Sequence, residues 1–195
     1  MAASKGKTRK EQAEETKNRI YNAAIELLDS RGFENLTIQC ISRKANVSVG
    51  SFYHYFNSKL DILSEIFHRG DTYFIEVVKP GLEGKDTVNQ ILHFFDNYAI
   101  FNQKLTVEHA KAIYNPRIKL FTNTNRAMFT ILEEIIEEGQ KKGVIKNDET
   151  PRELAIFLYI LCRGITFDWS LHDGQYDLLN KIDTYIKKVL PTILV

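Results

Sequence analysis

Apolar residues recur at three- and four-residue spacing along almost the whole chain, and no stretch alternates at every second position as a half-buried strand would. The pattern predicts an all-α protein of about nine helices. The first carries Ile20, Ala24, Leu27 and Leu28 on one stripe and stops at Gly32, a residue suited to a left-handed terminus. Thr37 caps a second, short helix with Ile38, Ile41 and Ala45 as its one apolar stripe, and Asn46 tolerates the left-handed backbone that ends it. Ser48 caps a third over 49–56, and Ser58 a fourth, with Asp61 completing a capping box. The fourth keeps Leu60, Leu63, Phe67 and Phe74 on one side and runs to about Val78, where Pro80-Gly81 breaks it. Further helices are expected near 86–101, 106–114, 123–142, 151–171 and 175–190. The start at 151 is well signalled, with Thr150 as cap, Pro151 at the first helical position and Glu153 at the third; Pro116 and several Asn and Thr residues interrupt the stretch from Tyr114 to Asn125.

Charge divides this string of helices. The net charge of +1 conceals an asymmetry: residues 1–60 hold 10 Lys or Arg against 6 Asp or Glu, net +4, and residues 61–195 hold 16 against 19, net −3. Positive charge gathered at one end is what a polyanion-binding segment requires. The expected domains are a disordered basic tail over 1–13, a nucleic-acid reader over 14–60 and a helical body over 61–195. With 44% hydrophobic and 26% charged residues the composition is that of an ordinary globular protein. The longest apolar run, Leu154 to Cys162, is nine residues against the roughly 20 that span a bilayer, and the basic start lacks the apolar stretch of a secretory signal. The chain is therefore expected to be cytoplasmic, with no membrane partner. Cys40 and Cys162 form neither a CxxC pair nor a disulfide framework and read as reduced, packed thiols.

The third helix has the two faces a groove-reading helix needs, one apolar to hold it and one polar to read. At about 100° per residue Phe52 and Phe56 share a face, expected to pack on the first two helices through Leu27, Ile41 and Val47, while Gly50 and His54 point nearly opposite. Ser51, Tyr53 and His54 offer donors for phosphates and base edges. Gly50 costs roughly 1 kcal/mol relative to alanine in a helix, less near its start, so either the position tolerates it or a backbone must approach closely there. Lys59 opposes the positive end of its own helix dipole, a conflict that a phosphate would relieve; an exposed surface lysine is the plainer reading.

The segment F-E-N-L-T-I-Q-C-I-S-R-K-A-N-V-S-V-G-S-F-Y-H-Y-F-N-S-K-L-D-I-L resembles the DNA reader of the tetracycline-repressor (TetR) family, over about 50 residues. The aromatic cluster Phe52-Tyr53-His54-Tyr55-Phe56 followed by Ser58-Lys59, with Gly32-Phe33 and Leu36-Thr37 before it, carries the resemblance. It implies an N-terminal three-helix helix-turn-helix domain and a ligand-binding and dimerisation domain behind it. By that likeness Thr37, Gln39, Ser48, Val49, Gly50, Ser51, Tyr53 and His54 occupy operator-contacting positions, and Lys59 that of a phosphate-contacting lysine. Asn46 stands where the family commonly has glycine.

Beyond residue 60 the likeness rests on the helical pattern and on R-G-I-T-F-D-W-S-L near the last helix pair. It implies a homodimer built on the last two helices, for which Phe157, Leu161 and Ile165, then Ile182, Tyr185, Ile186 and Val189, are the expected interface residues; the same stripes also suit a monomer core. Body aromatics with polar tips suggest a pocket for a largely apolar or aromatic small molecule, with Phe95, Tyr98, His109, Phe129 and Phe157 as candidate lining and ordinary core as the alternative. Glu65-x-x-His68 is half of a helical di-metal motif without its second half, and no nucleophile elbow, P-loop or dinucleotide fingerprint occurs. Neither cofactor nor metal is expected. The reading is a homodimeric repressor on double-stranded operator DNA, released by a small-molecule effector; an activator or ligand-independent regulator fits the same reader, and a helical carrier or enzyme is the remaining class.

Overall fold

A computed structural model describes residues 7–114, 119–122 and 125–195. The described residues form nine α-helices: α1 (Arg9–Arg31), α2 (Ile38–Lys44), α3 (Val49–Tyr55), α4 (Lys59–Tyr73), α5 (Thr87–Lys104), α6 (Val107–Ile113), α7 (Ala127–Lys141), α8 (Pro151–Leu171) and α9 (Leu178–Ile193). The chain divides into two compact units, Met1–Glu65 and Ile66–Val195, so the division falls inside α4.

In the first unit, α1 begins about three turns earlier than its apolar stripe. Thr8 and Glu11 form a reciprocal capping box, so the part of the expected tail that is described, residues 7–13, is mostly helical; residues 1–6 lie outside the description. The stripe itself is buried: Ile20, Ala24, Leu27 and Leu28 are all under 10% exposed. Gly32 ends α1 at φ 72, ψ 163, a region that side chains with a Cβ avoid, and Asn46 turns the chain after α2 at φ 53. Helix α2 packs on both α1 and α3. Ile41, Phe52 and Phe56 are buried, whereas Leu60, expected on the inner side of α4, is exposed while Ile62 and Leu63 are buried. The Ser58–Asp61 pairing also differs from a capping box: the Ser58 hydroxyl donates to Asp61, whose other oxygen accepts from the Asn57 N–H.

In the second unit, α4 passes into a π-helical turn (Phe74–Val78) and a 3-10 turn (Pro80–Leu82). Helix α5 packs on α7 and α9, and α8 on α6, α7 and α9, around Phe74, Ile91, Phe94, Leu132, Leu158 and Ile182. Helix α7 starts at Ala127 rather than 123, and Pro116, Asn123 and Thr124 lie outside the described residues. Capping at Thr150 is as expected, with Glu153 returning the bond. Helix α9 continues through Pro191 to Ile193, and the chain end pairs with the turn after α7, where Ile145 and Leu194 form an antiparallel bridge. By length and hydropathy α8 is apolar enough to cross a bilayer, which its short uninterrupted run concealed, and half of it is buried within this unit.

Candidate functional site

The face of α3 is set by caps on α2 and on α3 itself. The Thr37 hydroxyl accepts the Cys40 N–H at 3.2 Å and the Ser48 hydroxyl accepts the Ser51 N–H at 3.0 Å, so these two expected DNA contacts have structural duties as well. The Val47 N–H donates to the Ser42 carbonyl at 3.0 Å, closing the turn between the helices. With Phe52 buried at 0% exposure, the opposite side is forced outward: Val49, Gly50, Tyr53 and His54 are exposed, as are Gln39, Thr37 and Ser48, while Ser51 is half-buried. A Cβ on Gly50 would meet only the Ser48 hydroxyl, at 3.8 Å, so nothing inside the protein requires glycine there. Lys59 is half-buried and already engaged: its ammonium donates to the Phe33 carbonyl at 3.0 Å and sits 4.6 Å from the Phe33 ring centroid, latching the start of α4 to the α1–α2 turn. One hydrogen bond leaves two of its three N–H donors for another acceptor.

The second unit contains a cavity of about 140 Å³. Ile66 and Phe67 of α4, Tyr98 and Phe101 of α5, Ile113 and Tyr114 of α6, Met128 and Phe129 of α7, and Ile156, Tyr159 and Arg163 of α8 line it, with Arg126 and Phe121 from the connection before α7. Of the sequence candidates, Tyr98 and Phe129 are in the wall, and Phe129 stacks on Tyr159 at 4.7 Å. Phe95 and His109 are buried in the core and do not line it: His109 turns to the start of its own helix, where Nδ1 pairs with the Thr106 hydroxyl at 2.9 Å, and Phe95 packs edge-on against Phe94 and Tyr98. Phe157 stands on the outer surface at 42% exposure, on the side of α8 opposite Leu158 and Cys162. Sequence reasoning passed over Tyr159, Arg126 and Arg163, whose polar tips at α-helical spacing looked like ordinary core and surface positions. Burial raises the Tyr98, Tyr114 and Tyr159 phenols, the latter two well above their ordinary range, and it raises the Cys162 thiol too. These groups are neutral hydrogen-bonding surfaces at physiological pH.

The expected dimer stripes resolve differently. Ile165, Ile182 and Ile186 belong to the core of their own chain, because the α8–α9 pair turns these positions toward each other and α5. Outside, α8 presents Phe157, Ile160, Gly164, Phe167 and Leu171, all exposed at three- and four-residue spacing, with Leu161 half-buried beside them. On α9 Tyr185 is exposed, flanked by Lys181 and Lys188 within 5.4 Å of its ring centroid, and Val189 is half-buried. The Asp168-Trp169 part of the sequence motif holds the α8–α9 turn, where the Trp169 indole donates to the Tyr176 carbonyl and the Tyr176 hydroxyl donates to Asp168 and the Ile165 carbonyl.

Two family models match this chain: "Bacterial regulatory proteins, tetR family" over residues 20–66, and "YsiA-like protein, C-terminal region" over residues 73–191. The fatty acid metabolism regulator protein of Bacillus subtilis is 25% identical over 169 residues, covering 82% of this chain and 86% of that protein. Among solved structures, the transcriptional regulator FadR of Bacillus subtilis in complex with stearoyl-CoA superposes with a TM-score of 0.74 at 22% identity, covering 89% of this chain and 96% of that one. Thermus thermophilus FadR, a repressor in complex with lauroyl-CoA, gives 0.66 at 21% identity, covering 89% and 92%.

Proposed function

The chain belongs to the tetR family of bacterial regulatory proteins and is a transcriptional regulator, and we propose that it is a homodimeric repressor that leaves a near-palindromic operator when an apolar, acyl-bearing small molecule fills its body cavity. The observation that carries the DNA half is the outward face of α3, held by buried Phe52 and offering Val49, Gly50, Tyr53 and His54 without an internal reason for the glycine. The exposed stripe of α8 supports the dimer. Gly164 lies at its centre, where a Cβ would meet nothing within 4 Å, and close approach of a second α8 explains a glycine that otherwise weakens the helix. Two readers fixed in one dimer engage a two-fold site as one unit. A cavity walled mainly by Phe, Tyr, Ile and Met suits an apolar effector, and the acyl thioesters bound by the two FadR structures support an acyl group as its body.

Control follows from differential affinity: an effector that prefers the body conformation with badly spaced readers lowers operator affinity by linkage. Helix α4 supplies Ile66 and Phe67 to the cavity and Lys59 to the reader unit, and is the element we assign to carry that change. Such a protein works where the DNA is, in the cytoplasm. The test is selection of bound sites from random DNA by the full chain, followed by titration of operator binding. Tyr53→Ala is expected to lose sequence preference with the fold intact, and Lys59→Ala to weaken all sequences alike and lower the salt slope by about 1. Selection of no sequence by the wild-type chain sinks the regulator reading of this face.

A further inference from the structure

Two guanidinium groups line the cavity, and their surroundings differ. Arg126 is neutralised: its Nε and Nη2 donate to the two oxygens of Asp71 at 3.1 Å each, and Nη2 also donates to the Phe67 carbonyl at 3.0 Å. Arg163 has no carboxylate within ion-pair distance among the described residues. Its Nε donates to the Tyr159 carbonyl and its Nη1 to the Phe121 carbonyl, both at 3.4 Å, the long limit for such bonds, and its guanidinium lies 5.4 Å from the Phe121 ring centroid. Most of its five donors remain available. A half-buried cation against an apolar wall is costly until an anion joins it.

The neighbouring groups ask for the same complement. The Tyr98 and Tyr114 phenols lie near enough to feel the Arg163 charge. The Tyr159 hydroxyl, near enough to feel Arg126 and Asp71, is buried with no hydrogen-bond partner among the described residues, and its ring is 6.2 Å from that of Tyr98. A carboxylate supplies both a negative charge for the guanidinium and acceptors for phenolic O–H groups. The remaining wall, including Phe101, Leu105, Ala110, Ile113, Met128 and Ile156, is apolar. Its volume of about 140 Å³ is close to that of an apolar protein cavity of about 150 Å³ that takes up benzene.

We propose that Arg163 reads the carboxylate of a small aromatic or short-chain organic acid whose apolar part fills this cavity, so that the effector's acyl group arrives as a free acid anion of about benzoate size. The inference rests on the ligand-controlled regulator reading and narrows its effector. The test is calorimetric binding and operator release with the whole 195-residue chain, using benzoate, hexanoate, the neutral isostere benzamide, benzoyl-CoA and stearoyl-CoA, on wild type, Arg163→Gln and Arg163→Lys. Benzoate or hexanoate is expected to bind at least about tenfold more tightly than benzamide. Arg163→Gln removes that preference while keeping benzamide binding, and Arg163→Lys keeps part of it. Equal affinity for benzoate and benzamide, unchanged benzoate affinity in Arg163→Gln, or binding of neither acid overturns the proposal. Release by either thioester without release by the free acids also overturns it, yet leaves the regulator reading standing. Should Arg163→Gln fail to fold, the benzoate-to-benzamide ratio on wild type decides the matter.

Discussion

Gly50 and Lys59 show how one residue can be read two ways until its neighbours are known. The energetic argument against glycine in a helix applies to Gly50 whatever its surroundings, but only the open space around it removes packing as the reason. Gly50→Ala is therefore expected to leave the melting temperature unchanged or slightly raised, by up to about 1 kcal/mol of helix propensity, while operator affinity measured by fluorescence anisotropy falls. Undiminished affinity in that variant would remove the close backbone approach to DNA from the account. Lys59, by contrast, gained a partner on folding: the carbonyl of Phe33, which no local pattern brings near it. Its positive charge at a helix start is balanced in part by that bond, so the dipole conflict alone no longer argues for a phosphate.

At the level of elements, α7 illustrates a start signal that is not local. Arg126 occupies the cap position and offers no side-chain cap, and the Met128 N–H is satisfied by Asp71 of α4, 57 residues away, at 3.2 Å. Asp71 thereby serves as cap and as counter-ion to Arg126 at once. Replacing it by alanine leaves a partly buried guanidinium unpaired and a helix N–H unsatisfied. Breaking a fully buried pair costs about 3–5 kcal/mol, and the residual exposure of 16% and 20% here lowers the expected loss to about 2 kcal/mol. Urea unfolding checks it; a loss under about 0.5 kcal/mol would mean that solvent replaces Asp71 without penalty.

For the whole molecule, oligomeric state and operator binding are expected to move together. The exposed apolar stripe from Phe157 to Leu171 is too regular to be scattered surface, and in the proposed dimer Gly164 at its middle would set the distance of approach. Gly164→Glu places a charge at that contact and is expected to shift sedimentation from dimer to monomer and to weaken operator binding at least about tenfold through lost avidity. A variant that stays dimeric places the interface elsewhere. Arg163, one residue away but turned to the cavity, is expected to leave sedimentation unchanged when replaced by Gln.

The helices, most of their caps and the reader were legible in the sequence because their causes lie within a few residues: apolar spacing, Thr37 and Ser48 as caps, Asn46 and Gly32 as stops, and the Phe52/Phe56 face. Tertiary structure decided which apolar residues meet which. The candidates on α8 and α9 separated into core (Ile165, Ile182, Ile186) and surface (Phe157, Tyr185) because a stripe wide enough for two contacts has no local mark of which edge faces inward. The cavity was beyond periodicity for the same reason: a wall of Tyr98, Tyr114, Phe129 and Tyr159 has the spacing of ordinary core, and only the packing of five helices leaves it unfilled. The difference between Arg126 and Arg163 depends on an aspartate distant in sequence from both: the fold pairs Arg126 with Asp71 and gives Arg163 only backbone carbonyls among the described residues.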